Sequence, residues 1–398
     1  MKRNLNGRRF VRQSLPWLAL SCSVLLYCLH FFAGGGRAKL ITDSAAYLAM
    51  AGGDHLPAPY SSRVLEPFIG SVIASAFGIS TLAAFQILTP AVLLASLLLL
   101  RKIISRQGGS VEWQAAVLLA FGSSLAVTFG YTPVMVDPLL ILLTCLTITA
   151  LDGGHFAGAV VLATLAALTK EYGLLLGLVV SLVAYRRGYR RLAYAGSLLP
   201  VIALLLTTLT APGSSGAGFV GWQSFISAMF GYHKYLFEFR GGSEYPKLLY
   251  MWSWSALWPV LMIAVSVVLS RIRNHIKMGN QEVAFVLMLV ALPFLLLGDW
   301  GRSLLIVVPF GCAVATSHDL VRCGRFTALL AVGGLATSLA RPFHSEPLPP
   351  QAVMLTMTVI SMASALLIAV KILRFAPSGS TSPLDPRLDN PTPELVTR

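Results

Sequence analysis

The chain reads as an all-α polytopic membrane protein of about twelve transmembrane helices, with an interfacial helix in its first outer loop. Three observations predict this. The 398 residues are 56% hydrophobic and only 12% charged. They break into about a dozen apolar runs, and a run of 18 or more apolar residues can span a ~30 Å hydrocarbon core. The 30 Lys and Arg residues also sort themselves by membrane side. Membrane proteins keep cations on the cytoplasmic side as a topology device, so the formal charge of +14 implies no nucleic-acid partner.

The first element opens with a basic segment, 1–14, carrying Lys2, Arg3, Arg8, Arg9 and Arg12, followed by an apolar run from Leu15 to Ala33. A cleaved signal peptide is the alternative to a retained helix. The run is long and no Ala-x-Ala site closes it, which favours the helix. An outer loop, 34–81, comes next. Its stretch Arg63–Phe77 opens with Arg, Glu and Pro and is read as an interfacial or re-entrant helix that does not cross. If it crossed, every later loop would invert and the cation bias would reverse.

Spans then follow at 82–100, 112–130, 134–151, 156–169, 172–185 and 192–211. The pair 156–169 and 172–185 is short for a full crossing, at ~20 Å each as helix. It is broken by Thr169-Lys170-Glu171-Tyr172-Gly173, and such a break at membrane depth must face protein or a water-filled cavity. The second large outer loop, 211–250, carries Trp222, Tyr232, Tyr235, Phe237, Phe239 and Tyr245, residues suited to the headgroup zone. Further spans are expected at 251–270, 283–297, 303–317, 326–340 and 351–370. Residues 15–374 thus form one transmembrane domain. The Pro-, Ser- and Asp-rich tail, 375–398, reads as disordered and cytoplasmic.

With twelve spans both termini share one side. That side then holds 21 cations: the N-terminal five, Arg101, Lys102, Arg106, Arg186, Arg187, Arg190, Arg191, Arg271, Arg273, Lys277, Arg322, Arg325, Lys371, Arg374, Arg387 and Arg398. Nine remain outside, and the imbalance fixes the orientation with cytoplasmic termini.

The five cysteines (Cys22, Cys28, Cys145, Cys312, Cys323) show no paired spacing and read as small apolar residues in or near spans. No P-loop, no GxGxxG after a strand and no HExxH occurs. No His, Asp or Glu cluster has metal-ligand spacing, although a divalent cation held by Asp43 and a distant acid stays open as a cofactor.

The conspicuous ionisable residues converge on the outer face. The first loop holds Asp43, Asp54, Arg63 and Glu66; Asp137 starts the fourth span; Lys170 and Glu171 sit in the broken pair; Asp299 and Arg302 lie in one later loop, and Arg341, His344 and Glu346 in the last. Charges at membrane depth are expensive and usually mark a site or a pathway.

The pattern Thr42-Asp43-Ser44-Ala45-Ala46-Tyr47, then Tyr60-Ser61-Ser62-Arg63-Val64-Leu65-Glu66-Pro67, resembles bacterial members of the GT-C superfamily of integral-membrane glycosyltransferases. Val136-Asp137-Pro138, Thr169-Lys170-Glu171 and Asp299-x-x-Arg302 are also similar to elements of these proteins. The resemblance implies a polyprenyl-phosphate-linked sugar as donor, transfer at the outer face of a bacterial inner membrane, and membrane lipids as surroundings. Such transfer needs a general base for the acceptor hydroxyl, and cations for the phosphate leaving group.

Asp43 is the candidate base, against a role as the cap of the Ser44–Met50 stretch. Lys170 and Arg302 are candidate phosphate ligands, against pairing with Glu171 and Asp299 or snorkelling to the headgroups. Arg63 either holds the donor phosphate or pairs with Glu66 three residues on. Asp137 either caps the fourth span, with Pro138 at the first helical position, or orients the acceptor or Lys170. Tyr47 lies four residues after Asp43 on one helical face, as packing or as a sugar platform. A twelve-span secondary transporter and a non-catalytic partner in envelope biosynthesis are the two alternatives to an enzyme.

Overall fold

Ser80 and Ser110 each stand at the head of an apolar run and cap the helix that follows. Ser80 accepts a hydrogen bond from the Ala83 amide and Ser110 from the Trp113 amide, satisfying donors that a helix start leaves open. The computed structural model describes residues 2–33, 42–54, 56, 60–210, 258–295, 300–318, 363 and 365–374. Every regular element among them is helical. The elements are α1 (Lys2–Ala33), α2 (Thr42–Ala51), a single 3-10 turn at Tyr60–Ser62, α3 (Leu65–Phe77), α4 (Thr81–Arg106), α5 (Val111–Tyr131), α6 (Asp137–Asp152), α7 (Phe156–Thr169), α8 (Gly173–Arg186) and α9 (Arg190–Thr210). After them come α10 (Trp258–Arg273), α11 (Asn280–Leu295) and α12 (Trp300–Thr316), and residues 365–374 are helical as well. The loop 211–250, the span expected at 326–340, Asp299, Arg341, His344, Glu346, Cys323 and the tail 375–398 lie outside the described residues.

Among the described residues four helical stretches are long and apolar enough to cross a membrane: Arg12–Phe32, Thr81–Arg106, Val111–Gly130 and Arg190–Thr207. The other helices of the bundle are shorter. α6, for example, has 16 residues, about 24 Å at the usual rise.

α5 runs through the middle, with Phe121, Leu125 and Phe129 buried, and α1 lies along it. The close approach is built from small residues. A β-carbon on Gly122 would stand 2.5 Å from the Ser23 β-carbon, and one on Gly130 would stand 2.5 Å from the His30 β-carbon. The two glycines are eight residues apart, on one face of α5.

The polar side chains at helix ends gather at two opposite ends of the bundle. At one end Arg12 pairs with Glu112, Gln281 donates to Asp152, Arg271 pairs with Glu282 at 3.2 Å, and Trp113 Nε1 donates to the Thr316 hydroxyl at 2.8 Å. The other end holds Asp43, Tyr47, Arg63, Asp137 and Lys170. There a small apolar cluster of Tyr47, Ala51, Phe85, Val134 and Val136 seats α2 against α4 and the segment before α6. A β-carbon on Gly70 of α3 would stand 2.8 Å from the Phe85 ring. Phe85 belongs to that cluster, so the middle of α3 packs at this end.

The helices α7 and α8 form a hairpin. A β-carbon on Gly173 would fall 2.1 Å from the Ala166 carbonyl carbon, a contact with backbone that no neighbour can relieve. Glycine at 173 is what lets the chain double back within three residues.

Candidate functional site

Four segments meet at this end of the bundle, and each delivers a short polar stretch. α2 supplies Asp43 from its first turn and Tyr47 one turn later on the same face. The Tyr60 hydroxyl donates to Asp43 Oδ1 at 2.8 Å, and the Tyr60 and Tyr47 rings meet edge to face with centroids 5.8 Å apart. The turn at Tyr60–Ser62 is closed by the Arg63 amide donating to the Tyr60 carbonyl at 2.8 Å, which fixes where the Arg63 side chain leaves the backbone.

Arg63 is buried. Its Nη1 donates to the Tyr47 hydroxyl at 2.7 Å, and its Nε–H is shared between Glu171 Oε1 at 3.0 Å and Oε2 at 3.3 Å. The Ser62 hydroxyl donates to the same Oε1 at 3.1 Å. Burial works against the Arg63 charge, yet Glu171 and then Tyr47 outweigh it and raise its pKa above the ordinary arginine range. Burial likewise pushes the Tyr47 hydroxyl above the usual phenol range, partly opposed by Arg63.

The break between α7 and α8 supplies two charges. Lys170 is extended, with φ −162° and ψ 148°, and extended backbone sends successive side chains to opposite sides. Lys170 Nζ therefore reaches Asp137 Oδ1 at 2.6 Å, while Glu171 turns toward Ser62 and Arg63. The Lys170 ammonium also lies 4.8 Å from the Tyr172 ring centroid. Asp137 is 2% exposed and Lys170 4%, so the pair is dry.

Glu66, in the first turn of α3, is fully buried, and among the described residues no hydrogen bond of normal geometry reaches its carboxyl oxygens. Burial, then the neighbouring Asp137, raise its pKa well above the usual carboxyl range, against a smaller opposing effect of the Leu139 amide.

Two alternative pairings and one alternative cap are set aside. Arg63 does not pair with Glu66: α3 begins at Leu65, so Arg63 precedes the helix and the three-residue helical spacing does not apply. Lys170 does not pair with its neighbour Glu171, because the extended backbone separates them. The Asp137 side chain does not cap α6; Val136 occupies the cap position with no side-chain hydrogen bond, and Pro138 sits in the first turn. Arg302 lies in the first turn of α12, but its side chain, like all of Asp299, is outside what the structure describes.

Tyr60, Ser62 and Tyr172 join the cluster; each stands inside a motif quoted from the sequence, but none was given a role there, because a lone hydroxyl or ring carries no periodic signal. Among the described residues no group of three His, Cys, Asp or Glu side chains is arranged to hold a metal ion.

The described charges of the cluster are two cations, Arg63 and Lys170, and four acids, Asp43, Glu66, Asp137 and Glu171. Each cation already has a carboxylate. A phosphate arriving here would either compete with Glu171 and Asp137 or bring in further cations.

Comparison with protein-family models, with curated proteins and with solved structures finds no match to this chain.

Proposed function

We propose that the chain is a membrane glycosyltransferase of GT-C type, with twelve spans, cytoplasmic termini and its site at the outer face of a bacterial inner membrane. The observation that supports it is the convergence of Asp43 and Tyr47 from α2, Arg63 from the next turn, Asp137 from α6, and Lys170 and Glu171 from the α7–α8 break, at one end of an apolar bundle. The donor is a polyprenyl-phosphate sugar; the acceptor is a lipid, polysaccharide or protein hydroxyl.

In this reading Asp43, held by Tyr60, takes the proton of the acceptor hydroxyl as that oxygen bonds to the anomeric carbon. The bond from that carbon to the phosphate oxygen breaks, and polyprenyl phosphate leaves with the electron pair. Lys170 and Arg63, with Arg302 if its side chain reaches the site, receive the phosphate, and Tyr47 and Glu66 line the sugar side.

The test uses the full chain in nanodiscs with polyprenyl-phosphate hexose or pentose, reading release of polyprenyl phosphate. Wild type releases it in an acceptor-dependent way and Asp43→Asn, at equal expression, does not. Full transfer by Asp43→Asn would remove the base assignment.

One observation favours a second reading. A fully buried carboxyl, Glu66, next to a buried lysine–aspartate pair also suits a proton-coupled secondary transporter. Substrate counterflow in vesicles, with no lipid-phosphate release from any donor, would decide for that reading.

A further inference from the structure

At the end of the bundle opposite the site, the turn between α8 and α9 reads Tyr185-Arg186-Arg187-Gly188-Tyr189-Arg190-Arg191, with Tyr194 one turn further on. Gly188 has φ +84°, a conformation only glycine adopts freely, so the chain reverses there and sets two arginines on each flank. All four are exposed, and so are Tyr185, Tyr189 and Tyr194.

The turn is not loose. Arg186 Nη2 donates to the Met278 carbonyl at 2.7 Å, which ties it to the α10–α11 turn. That second turn brings exposed Arg273 and Lys277. Among the described residues, the acids of that turn region are already engaged: Glu282 is buried and paired with Arg271, and Asp152 accepts from Gln281. The result is a fixed cationic surface with exposed aromatics set among the charges.

An apolar track adjoins it. α9 exposes Leu198, Leu199, Ile202, Leu205 and Leu206, and only 22% of its crossing stretch is buried, against 88% for that of α5. Guanidinium groups and tyrosines bordering such a face match the headgroup level of a bilayer, with the acyl chains beyond.

We infer that the surface formed by Arg187, Arg190, Arg191, Arg273 and Lys277 binds the phosphates of anionic phospholipids, whose chains lie along the exposed face of α9. This stands apart from the transferase reading, because it uses none of that site's residues. Charge selects the class: zwitterionic lipids offer a cation that the arginines repel, and acidic proteins have no use for the apolar track.

The experiment is native mass spectrometry of the full chain released from micelles doped with phosphatidylglycerol or phosphatidylcholine. Wild type retains phosphatidylglycerol preferentially, and the retained lipid declines as salt rises. The triple substitution Arg187→Gln, Arg190→Gln, Arg191→Gln keeps Arg186 and its tie to Met278. It lowers apparent phosphatidylglycerol affinity on the order of a hundredfold, from the usual contribution of three basic side chains near an anionic surface. A control with Lys102→Gln, Lys371→Gln and Arg374→Gln removes as many exposed cations on other helices and keeps most of the retention. Equal losses in both triples, or no lipid preference in wild type, would overturn the assignment and leave only diffuse attraction. If the first triple elutes aggregated, Arg187→Lys, Arg190→Lys, Arg191→Lys must retain phosphatidylglycerol for the assignment to stand.

Discussion

The Nε–H of Arg63 is shared by both carboxylate oxygens of Glu171, at 3.0 and 3.3 Å, across 108 residues of chain. This contact pins the first loop to the break between α7 and α8. Both side chains are buried, at 9% exposure each, so removing one partner strands a charge. Arg63→Met or Glu171→Gln alone is expected to lower stability by about 3–5 kcal/mol. Thermal unfolding in detergent checks it, and Arg63→Met with Glu171→Met should recover most of the loss. Single variants that melt like wild type would mean the pair holds nothing together.

Lys170 and Asp137 pose a sharper question, because the same pair would have to serve structure and chemistry. The double variant Lys170→Gln, Asp137→Asn removes both charges while keeping volume and hydrogen bonding. It is expected to melt within about 1 kcal/mol of wild type and to release no polyprenyl phosphate above background. Transfer at the wild-type rate in the folded double variant would take Lys170 out of the reaction.

Glu66 gives a pH dependence. Its folded pKa is raised above the unfolded value, so between those two values the folded chain holds a proton the unfolded chain has lost. Stability must then fall as pH rises through that window. Melting temperature recorded from about pH 5 to 8 should decline in wild type and decline less in Glu66→Gln, which should be at least as stable at the upper end. Parallel profiles for the two proteins would show that Glu66 is ionised in the fold.

Two glycines separate relievable from unrelievable contacts. Gly122→Ala meets the Ser23 side chain, so Ser23→Gly should restore much of the lost stability. Gly173→Ala meets the Ala166 backbone, and no side-chain substitution should restore it. Overpacking of this kind costs about 1–3 kcal/mol or more. Folded yield by size-exclusion chromatography ranks the three variants.

The helices were legible where an apolar run was long, as at 82–100 and 112–130, and the limits of α7 match the span expected at 156–169. The residue types of the cluster were legible too, since an ionisable group beside an apolar run stands out. The pairings were not. Lys170 and Glu171 are adjacent in sequence and look like an ion pair, and only the extended backbone at Lys170 and the reversal at Gly173 send them to different partners. Arg63 and Glu66 carry helical spacing, but the helix begins two residues after Arg63, a boundary that spacing alone does not reveal.

The three residues between α7 and α8 hold two ion pairs at once, one reaching the first loop and one reaching α6. They therefore act as a junction: a ligand that displaces Glu171 from Arg63 acts on the same short segment that holds Lys170, and any coupling between the two pairs is reciprocal. A double-mutant cycle between Arg63 and Asp137 would read that coupling directly as non-additivity. A molecule that enters this end of the bundle meets both ion pairs on one three-residue segment.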